Sequence, residues 1–310
     1  MSFVSGPEDV PGSLVRSAVS IGMFDGVHLG HRALLAVLKS EAERIGGLAV
    51  VLTFDVHPLE VLAPERAPRR ISTLEQKVKL LKEAGAGLVV VATFDRALAD
   101  LTPEQFVEQI IVERLRAAAV VVGSNFRFGR KRAGDVERLR ALGSEKGLRV
   151  VTVEPVAFHG SPVSSTRVRN AVERGDVHTA SQLLGRPFLM LGRVVPGLGL
   201  GRKLGFPTAN VEVEPRQLVP RDGVYAVRAL VGGRSHPGAC SIGVSPTLDG
   251  ARRTIEIYID GFEGSIYGAE IGAAFHSRLR DEVRFDSLEN LAAQIAKDVE
   301  KARELVCCSQ

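Results

Sequence analysis

Apolar residues recur along the chain at two different periods, and the change from one to the other divides it. Up to about residue 185, short unbroken runs of Val, Leu, Ile and Ala at 18–23, 48–54, 88–94, 118–122 and 148–153 predict buried strands. Between them, residues 31–45 (Leu34, Leu35, Leu38, Ala42, Ile45) and 73–84 (Leu74, Val78, Leu81) carry apolar positions at helical spacing. Helices are also expected over 103–115, with Pro103 in its first turn, and over 136–146. Ser72 with Glu75 predicts a capping box before the second of these helices. Strands alternating with helices imply βαβ units and a parallel sheet. A last short helix, 177–184, ends at Gly185, with Pro187 as a stop. Beyond it helical spacing mostly vanishes. Short β-type runs at 190–195, 223–230, 239–244, 254–259 and 271–279 are separated by Gly- and Pro-rich turns, and one helix closes the chain. Asp286 with Glu289 would cap that helix, and Leu288, Leu291, Ile295, Val299 and Ala302 form its stripe. The expected architecture is α/β + β: a parallel-sheet domain over residues 1–185, then a small antiparallel β-barrel with a terminal helix over 186–310.

The polar residues gather where strands end. The stretch 20–31 joins the first strand to the first helix and contains Gly22, Phe24, Asp25, Gly26, His28, Gly30 and His31. Helix N-termini at the carboxyl edge of an open sheet favour anions, because first-turn N–H groups lack partners and the helix dipole adds to them. The glycines allow a tight turn and a close approach to phosphate. His28 and His31, three apart on a first turn, would share one face and could donate hydrogen bonds to a triphosphate as its charge grows. Two more stretches fall on the same edge. After the fourth strand, Asn125 and Arg127 could reach a nucleotide, while Phe126 and Phe128 offer flat faces for a ring system. Residues 163–169 place Ser164, Ser165, Thr166, Arg167 and Arg169 where a helix opens, a phosphate clamp by chemistry. Taken singly, a polar loop and an N-cap followed by solvated arginines would explain these last two.

In the second half, residues 192–203 form a basic glycine-rich loop with Gly199, Gly201 and Lys203, able to offer N–H groups and charge to phosphates. Thr208 and Asn210 follow on alternate positions of an extended segment. Both are hard oxygen ligands suited to a magnesium ion held mainly by ATP phosphates and water. Glu256 lies opposite Ile255 and Ile257 on an alternating strand. A carboxylate beside a barrel core is either solvent-facing or functional.

Composition narrows the classes. Hydrophobic content of 45% with 25% charged residues over 310 positions describes a globular chain of two-domain size. No apolar run reaches the ~18 residues of a membrane span, and residues 1–10 lack the features of a secretory signal, so a cytoplasmic location is expected. An odd count of three cysteines argues against a disulfide framework or a zinc site. Forty basic against 36 acidic residues leave a net charge of +4, and Trp is absent. That balance speaks against nucleic acid as a partner. Oligomeric state has no signal here.

The motif Gly-x-Phe-Asp-Gly-x-His-x-Gly-His, matched by Gly22, Phe24, Asp25, Gly26, His28, Gly30 and His31, resembles that of nucleotidyltransferases, a Rossmann-like domain family. With Ser164, Ser165, Thr166 and Arg169 matching Ser-Ser-Thr-x-x-Arg, the first half is similar to the FMN adenylyltransferase module of bacterial bifunctional riboflavin kinase/FAD synthetases. Asn125 stands where many members carry Asp. The second half resembles riboflavin kinases, with Pro207-Thr208-Ala209-Asn210 intact and Glu256 at family spacing from Phe262. Gly261 and Ser265 replace two aspartates of the family pattern.

The resemblance implies two ATP-dependent steps, riboflavin to FMN with ADP released, then FMN to FAD with pyrophosphate released. It implies Mg2+ with ATP in both, Glu256 as the base of the first step, and Phe128 and Arg280 on the flavin side. One rival is a single-activity nucleotidyltransferase whose barrel only binds a ligand. Another is a nonenzymatic nucleic-acid binder on an oligonucleotide-type barrel.

Overall fold

The apolar runs of the first half form β1 (Ser17–Ile21), β2 (Leu48–Phe54), β3 (Leu88–Ala92), β4 (Ala117–Gly123) and β5 (Arg149–Val153). All pair in parallel, in the order β3-β2-β1-β4-β5. The computed structural model describes residues 3–197, 199–247 and 250–307, with the side chains of residues 200, 203, 245–247 and 250–252 outside that description. Two compact units are present: Met1–Pro68 with Thr73–Ser164, and Arg69–Ser72 with Ser165–Gln310.

In the first unit the strands are buried on both faces, as expected for a parallel sheet. The helices are α1 (Leu29–Arg44), α2 (Pro58–Leu62), α3 (Leu74–Glu83), α4 (Arg96–Ala99), α5 (Pro103–Gln105) and α6 (Val136–Glu145). Leu35, Leu38 and Ala42 of α1 and Val78 and Leu81 of α3 cover one face of the sheet. Two local expectations are corrected. The capping box of α3 is Thr73 with Gln76, each side chain bonding the other's backbone N–H, one residue later than Ser72 and Glu75. The helix expected over 103–115 is α-helical only over α5 and continues as a π-helix, Phe106–Arg114, which buries Phe106, Val107 and Ile111. A small hairpin, β6 (Ala157–Phe158) with β7 (Ser161–Pro162), closes the unit.

The second unit holds α7 (Ser165–Glu173), α8 (Val177–Leu184), β8 (Phe188–Val195), α9 (Leu200–Lys203), β9 (Thr208–Glu212), β10 (Gly223–Val231), β11 (Arg234–Thr247), β12 (Gly250–Ile259), β13 (Glu270–Arg280) and α10 (Leu288–Cys307). Its strands close a barrel in the order β10-β11-β12-β9-β8-β13, with neighbours antiparallel. Gly185 ends α8 in the left-handed conformation (φ 68°, ψ 21°), the stop its sequence announced. Tyr225, Phe188 and Phe275 fill the barrel.

The terminal helix differs from its pattern in two respects. Ser287, not Asp286, accepts from the Asn290 N–H (3.2 Å) and caps it, and Leu288 is exposed. The buried stripe runs through Val299, Ala302 and Val306. Beside it Asp298, 6% exposed, accepts from Arg280 (2.8 and 3.0 Å) and from Gln294 (2.9 Å). Asp298→Ala would leave the Arg280 guanidinium without its carboxylate. Urea unfolding should then show a loss of about 2 kcal/mol, the scale of a hydrogen-bonded charge pair near the surface.

Candidate active sites

In the first unit the strand order reverses between β1 and β4, so the crevice beyond their carboxyl ends is the expected ligand position. The turn 22–28 leaves β1 there. Phe24 and Val27, both buried, take left-handed backbone (φ 50° and 38°), which costs roughly 1–3 kcal/mol per residue and persists where surrounding contacts impose it. Of the turn's glycines only Gly26 has positive φ (78°). Gly22 and Gly30 serve close approach instead: a Cβ on Gly30 would lie 3.2 Å from the His28 ring and 3.6 Å from the Val163 carbonyl. The Val163 carbonyl, near the end of this unit, therefore lies close to Gly30 of the histidine turn.

The two imidazoles meet by a route different from the one the spacing suggested. His28 is not in the first turn but is its N-cap, in extended conformation, and its Nδ1 accepts from the His31 N–H (3.3 Å). The rings stack, with centroids 3.6 Å apart and planes 14° apart, and the Phe24 ring meets His31 edge-on. Because Nδ1 of His28 is an acceptor, the proton of the neutral ring sits on Nε2, which makes that atom a donor. Burial, the neighbouring His28 and the Lys77 ammonium, in that order, hold His31 well below the usual histidine range. Its buried Nδ1 has no hydrogen-bond partner among the described residues, an orphan that a phosphate oxygen would satisfy. Asp25 is buried in the same turn.

After β4, Asn125 is exposed at the strand end. Phe128 is buried in the core, stacked on Phe126 (5.5 Å, 13°) and tilted against Phe106, so Phe126 is the more exposed ring of the pair. Arg127 pairs with Asp135 (3.0 Å). Two features the sequence reading did not single out lie at neighbouring strand ends. Phe54, the last residue of β2, and Phe94, after β3, meet edge-to-face at 5.5 Å. Lys77 of α3 is 5% exposed and donates to the Phe54 carbonyl at 2.6 Å. Its signal was present: Lys77 stands three residues after Leu74 and four before Leu81, on the helix's apolar stripe. In the second unit Ser165 opens α7 with Thr166 behind it, and Arg169 donates to the Arg69 carbonyl (2.7 Å).

The barrel gathers a second set. In the β9–β12 ladder Asn210 stands opposite Glu256 and Thr208 opposite Tyr258. The Thr208 hydroxyl donates to Glu256 Oε2 at 2.9 Å. Ile255 and Ile257 point inward and are buried, leaving Glu256 half-buried on the other face. The hydroxyl that donates to Glu256 keeps its lone pairs, and the Asn210 amide oxygen is its neighbour on alternate residues. This donor set of hard oxygens fits a magnesium ion completed by phosphates and water. A cleft lined by Gly197, Gly199, Arg202, Thr208, Asn210 and Phe262 opens beside them. Gly199 has positive φ (68°), while Gly201 lies against the Phe206 carbonyl, where a Cβ would come within 2.4 Å. The Lys203 side chain lies outside the described residues. Behind the site, Cys240 is fully buried, and burial together with the Glu256 charge pushes its thiol up, so it stays protonated. Arg280 is engaged with Asp298 and the Asp281 carbonyl and lies over the Phe285 ring.

Gly197 gives a direct check. A Cβ there would fall 2.0 Å from the Asn210 amide nitrogen. Gly197→Ala must therefore displace Asn210, and a shift of that size at a positioned ligand can cost about 100-fold. The loss should appear in chemistry at the barrel's cleft and leave chemistry at the imidazole pair untouched.

A family model described as FAD synthetase matches residues 11–167, and one described as riboflavin kinase matches residues 184–306. The bifunctional riboflavin kinase/FMN adenylyltransferase of Escherichia coli K12 is 41% identical over 287 residues, covering 92% of this chain and 91% of that protein. Its counterpart in Bacillus subtilis is 36% identical over 292 residues, covering 93% and 92%. A crystal structure named as a macrolide-efflux protein from Streptococcus pneumoniae superposes with a TM-score of 0.87 at 30% identity, over 97% of this chain and 98% of that one. Among the described residues no helix is long and apolar enough to cross a membrane.

Proposed function

Because this chain belongs to the bifunctional riboflavin kinase/FMN adenylyltransferase family, we propose that it makes FAD in two steps, each assigned to its own module. It phosphorylates riboflavin to FMN and adenylylates FMN to FAD. We assign adenylylation to residues 1–185 and phosphorylation to 186–310.

In the kinase step the ribityl 5′-hydroxyl of riboflavin attacks the γ-phosphorus of ATP, its proton passes to Glu256, and ADP leaves. Glu256 is the base because it is the carboxylate joined to the Thr208 hydroxyl and paired in register with Asn210. Gly199, Gly201 and Lys203 are assigned to the phosphates. Thr208 and Asn210 would hold Mg2+, whose contribution when bound with ATP is to neutralise phosphoryl oxygens. Arg280, tied to Asp298, is given a flavin-side role as an anchor of the β13 end.

In the second step an oxygen of the FMN phosphate attacks the α-phosphorus of another ATP and pyrophosphate leaves. The attacking monoester is already anionic, so no strong base is required. Catalysis falls to positioned donors, His28 through Nε2–H and His31 through its orphaned Nδ1, with Gly22, Phe24, Asp25 and Gly30 shaping the turn. Ser164, Ser165, Thr166 and Arg169 are assigned to the triphosphate on their motif alone. Asn125 is assigned to the nucleotide and Phe126 to the flavin, with the buried Phe128 stacked behind it. We place both reactions in the cytoplasm, where ATP is maintained, and expect no nucleic-acid or membrane partner.

Two observations together carry the reading: the Thr208–Glu256 bond in one unit and, within the other, the stacked imidazoles. Incubation with riboflavin, ATP and Mg2+, followed by chromatography, tests it. FAD is expected. A single-activity nucleotidyltransferase would leave riboflavin unchanged but convert supplied FMN, and a nucleic-acid binder would turn over neither.

A further inference from the structure

A lysine ammonium is seldom buried without a task, because its charge must be compensated there. Lys77 is 5% exposed in the middle of α3, a helix whose start is fixed by a two-way capping box and whose apolar stripe seals it against the sheet. Its Nζ donates at 2.6 Å to the carbonyl of Phe54, the last residue of β2, at the sheet edge from which the histidine turn also leaves. We propose that Lys77 is a positioning residue for adenylyl transfer, acting through His31 and through the end of β2. The inference rests on assigning the imidazole pair to that reaction.

The electrostatic part follows from what surrounds His31. Strands β1, β2 and β4, against which α1 packs, carry no titratable side chain, and on β5 only Arg149 is charged, at the far end of the strand and paired with Glu41 (3.3 Å). His28 and the buried Asp25 belong to the turn, and Lys77 comes from α3. Burial is the first cause that keeps His31 neutral; a proton on His28 and the Lys77 ammonium both add to it. A neutral His31 is the better partner for the stacked His28 and can offer Nδ1 to a phosphate oxygen without a buried charge to desolvate. The mechanical part is the hydrogen bond to Phe54. It fixes the β2 end, where Thr53 donates to the Met23 carbonyl of the turn (3.2 Å). One side chain thus holds the frame of the turn and adds to what keeps its second imidazole neutral.

Three variants of the full chain separate the two parts: K77M loses donor and charge, K77Q keeps a donor, and K77R keeps both. Adenylylation of FMN is measured against pH, with circular dichroism and thermal unfolding of the same preparations as the control for folding of the first unit. K77M should lose about 100-fold in adenylylation, the scale of a misplaced reacting group, while phosphorylation is unchanged. K77R should recover most of it. Protonation of His31 inactivates as pH falls through its pKa. Removing the nearby positive charge raises that pKa, so the acid limb of K77Q should lie at higher pH than in the unsubstituted enzyme, and that of K77R should not move. An unchanged adenylylation rate in K77M overturns the proposal, as does a K77Q acid limb coincident with that of the unsubstituted enzyme. Full adenylylation by H31A would instead sink the imidazole assignment beneath it.

Discussion

Glu256→Gln is expected to stop FMN formation while leaving FAD formation from supplied FMN at its normal rate. The substitution is isosteric and still accepts the Thr208 hydroxyl, so β9 and β12 keep their register and the cleft its shape. What disappears is the ability to take a proton from the riboflavin 5′-hydroxyl, and with it a negative charge beside the proposed metal ligands. General-base catalysis contributes about 10²–10⁴ in rate, so a loss of about 1,000-fold should be read when riboflavin and FMN are separated by chromatography. Normal phosphorylation by this variant would mean that the base lies elsewhere. Loss of both activities would mean that the two modules do not work independently.

The second large effect is expected at His28, with the opposite pattern. His28→Ala should abolish FAD formation and spare FMN formation. Two losses coincide in that variant: the phosphate donor at Nε2, about 10²–10³ in rate, and the N-cap of α1, about 1 kcal/mol of stability. His28→Asn separates them, because asparagine is a good cap and can still accept from the His31 N–H, but it removes the imidazole stack. Thermal unfolding of His28→Asn should match that of the unsubstituted protein while its adenylylation stays at the level of the alanine variant. If asparagine restored the rate, His28 would be a structural cap and nothing more.

Two kinds of residue set what could be read without coordinates. The runs that became β1 to β5 are apolar on both faces because a parallel sheet covers both, and such runs are visible in any linear reading. That Thr208 and Asn210 share a side, and that Glu256 faces away from Ile255 and Ile257, was also legible, since alternation along a strand fixes which side chains share a face. Boundaries set by single hydrogen bonds were less so: Thr73 and Ser287 cap helices for which Ser72 and Asp286 are equally plausible by residue type, and the choice depends on how the chain enters each helix. Phe128 illustrates a different gap, because an aromatic residue in a loop can face a ligand or the core, and packing against Phe106 placed it in the core.

From its order of residues alone, this chain determined a parallel α/β unit followed by a barrel, and the two sets of polar groups at their strand ends. Periodicity and motif spacing are local properties, carried by neighbours along the backbone. Only the tertiary structure decided that His28 caps the helix on which His31 stands, that Thr208 bonds Glu256, that Arg280 is held by Asp298, and that Lys77 is buried with its ammonium on the Phe54 carbonyl. Those are contacts between segments or choices of rotamer and burial, and burial, which ties the Lys77 ammonium to a strand-end carbonyl, has no linear signature beyond a cation on an apolar stripe.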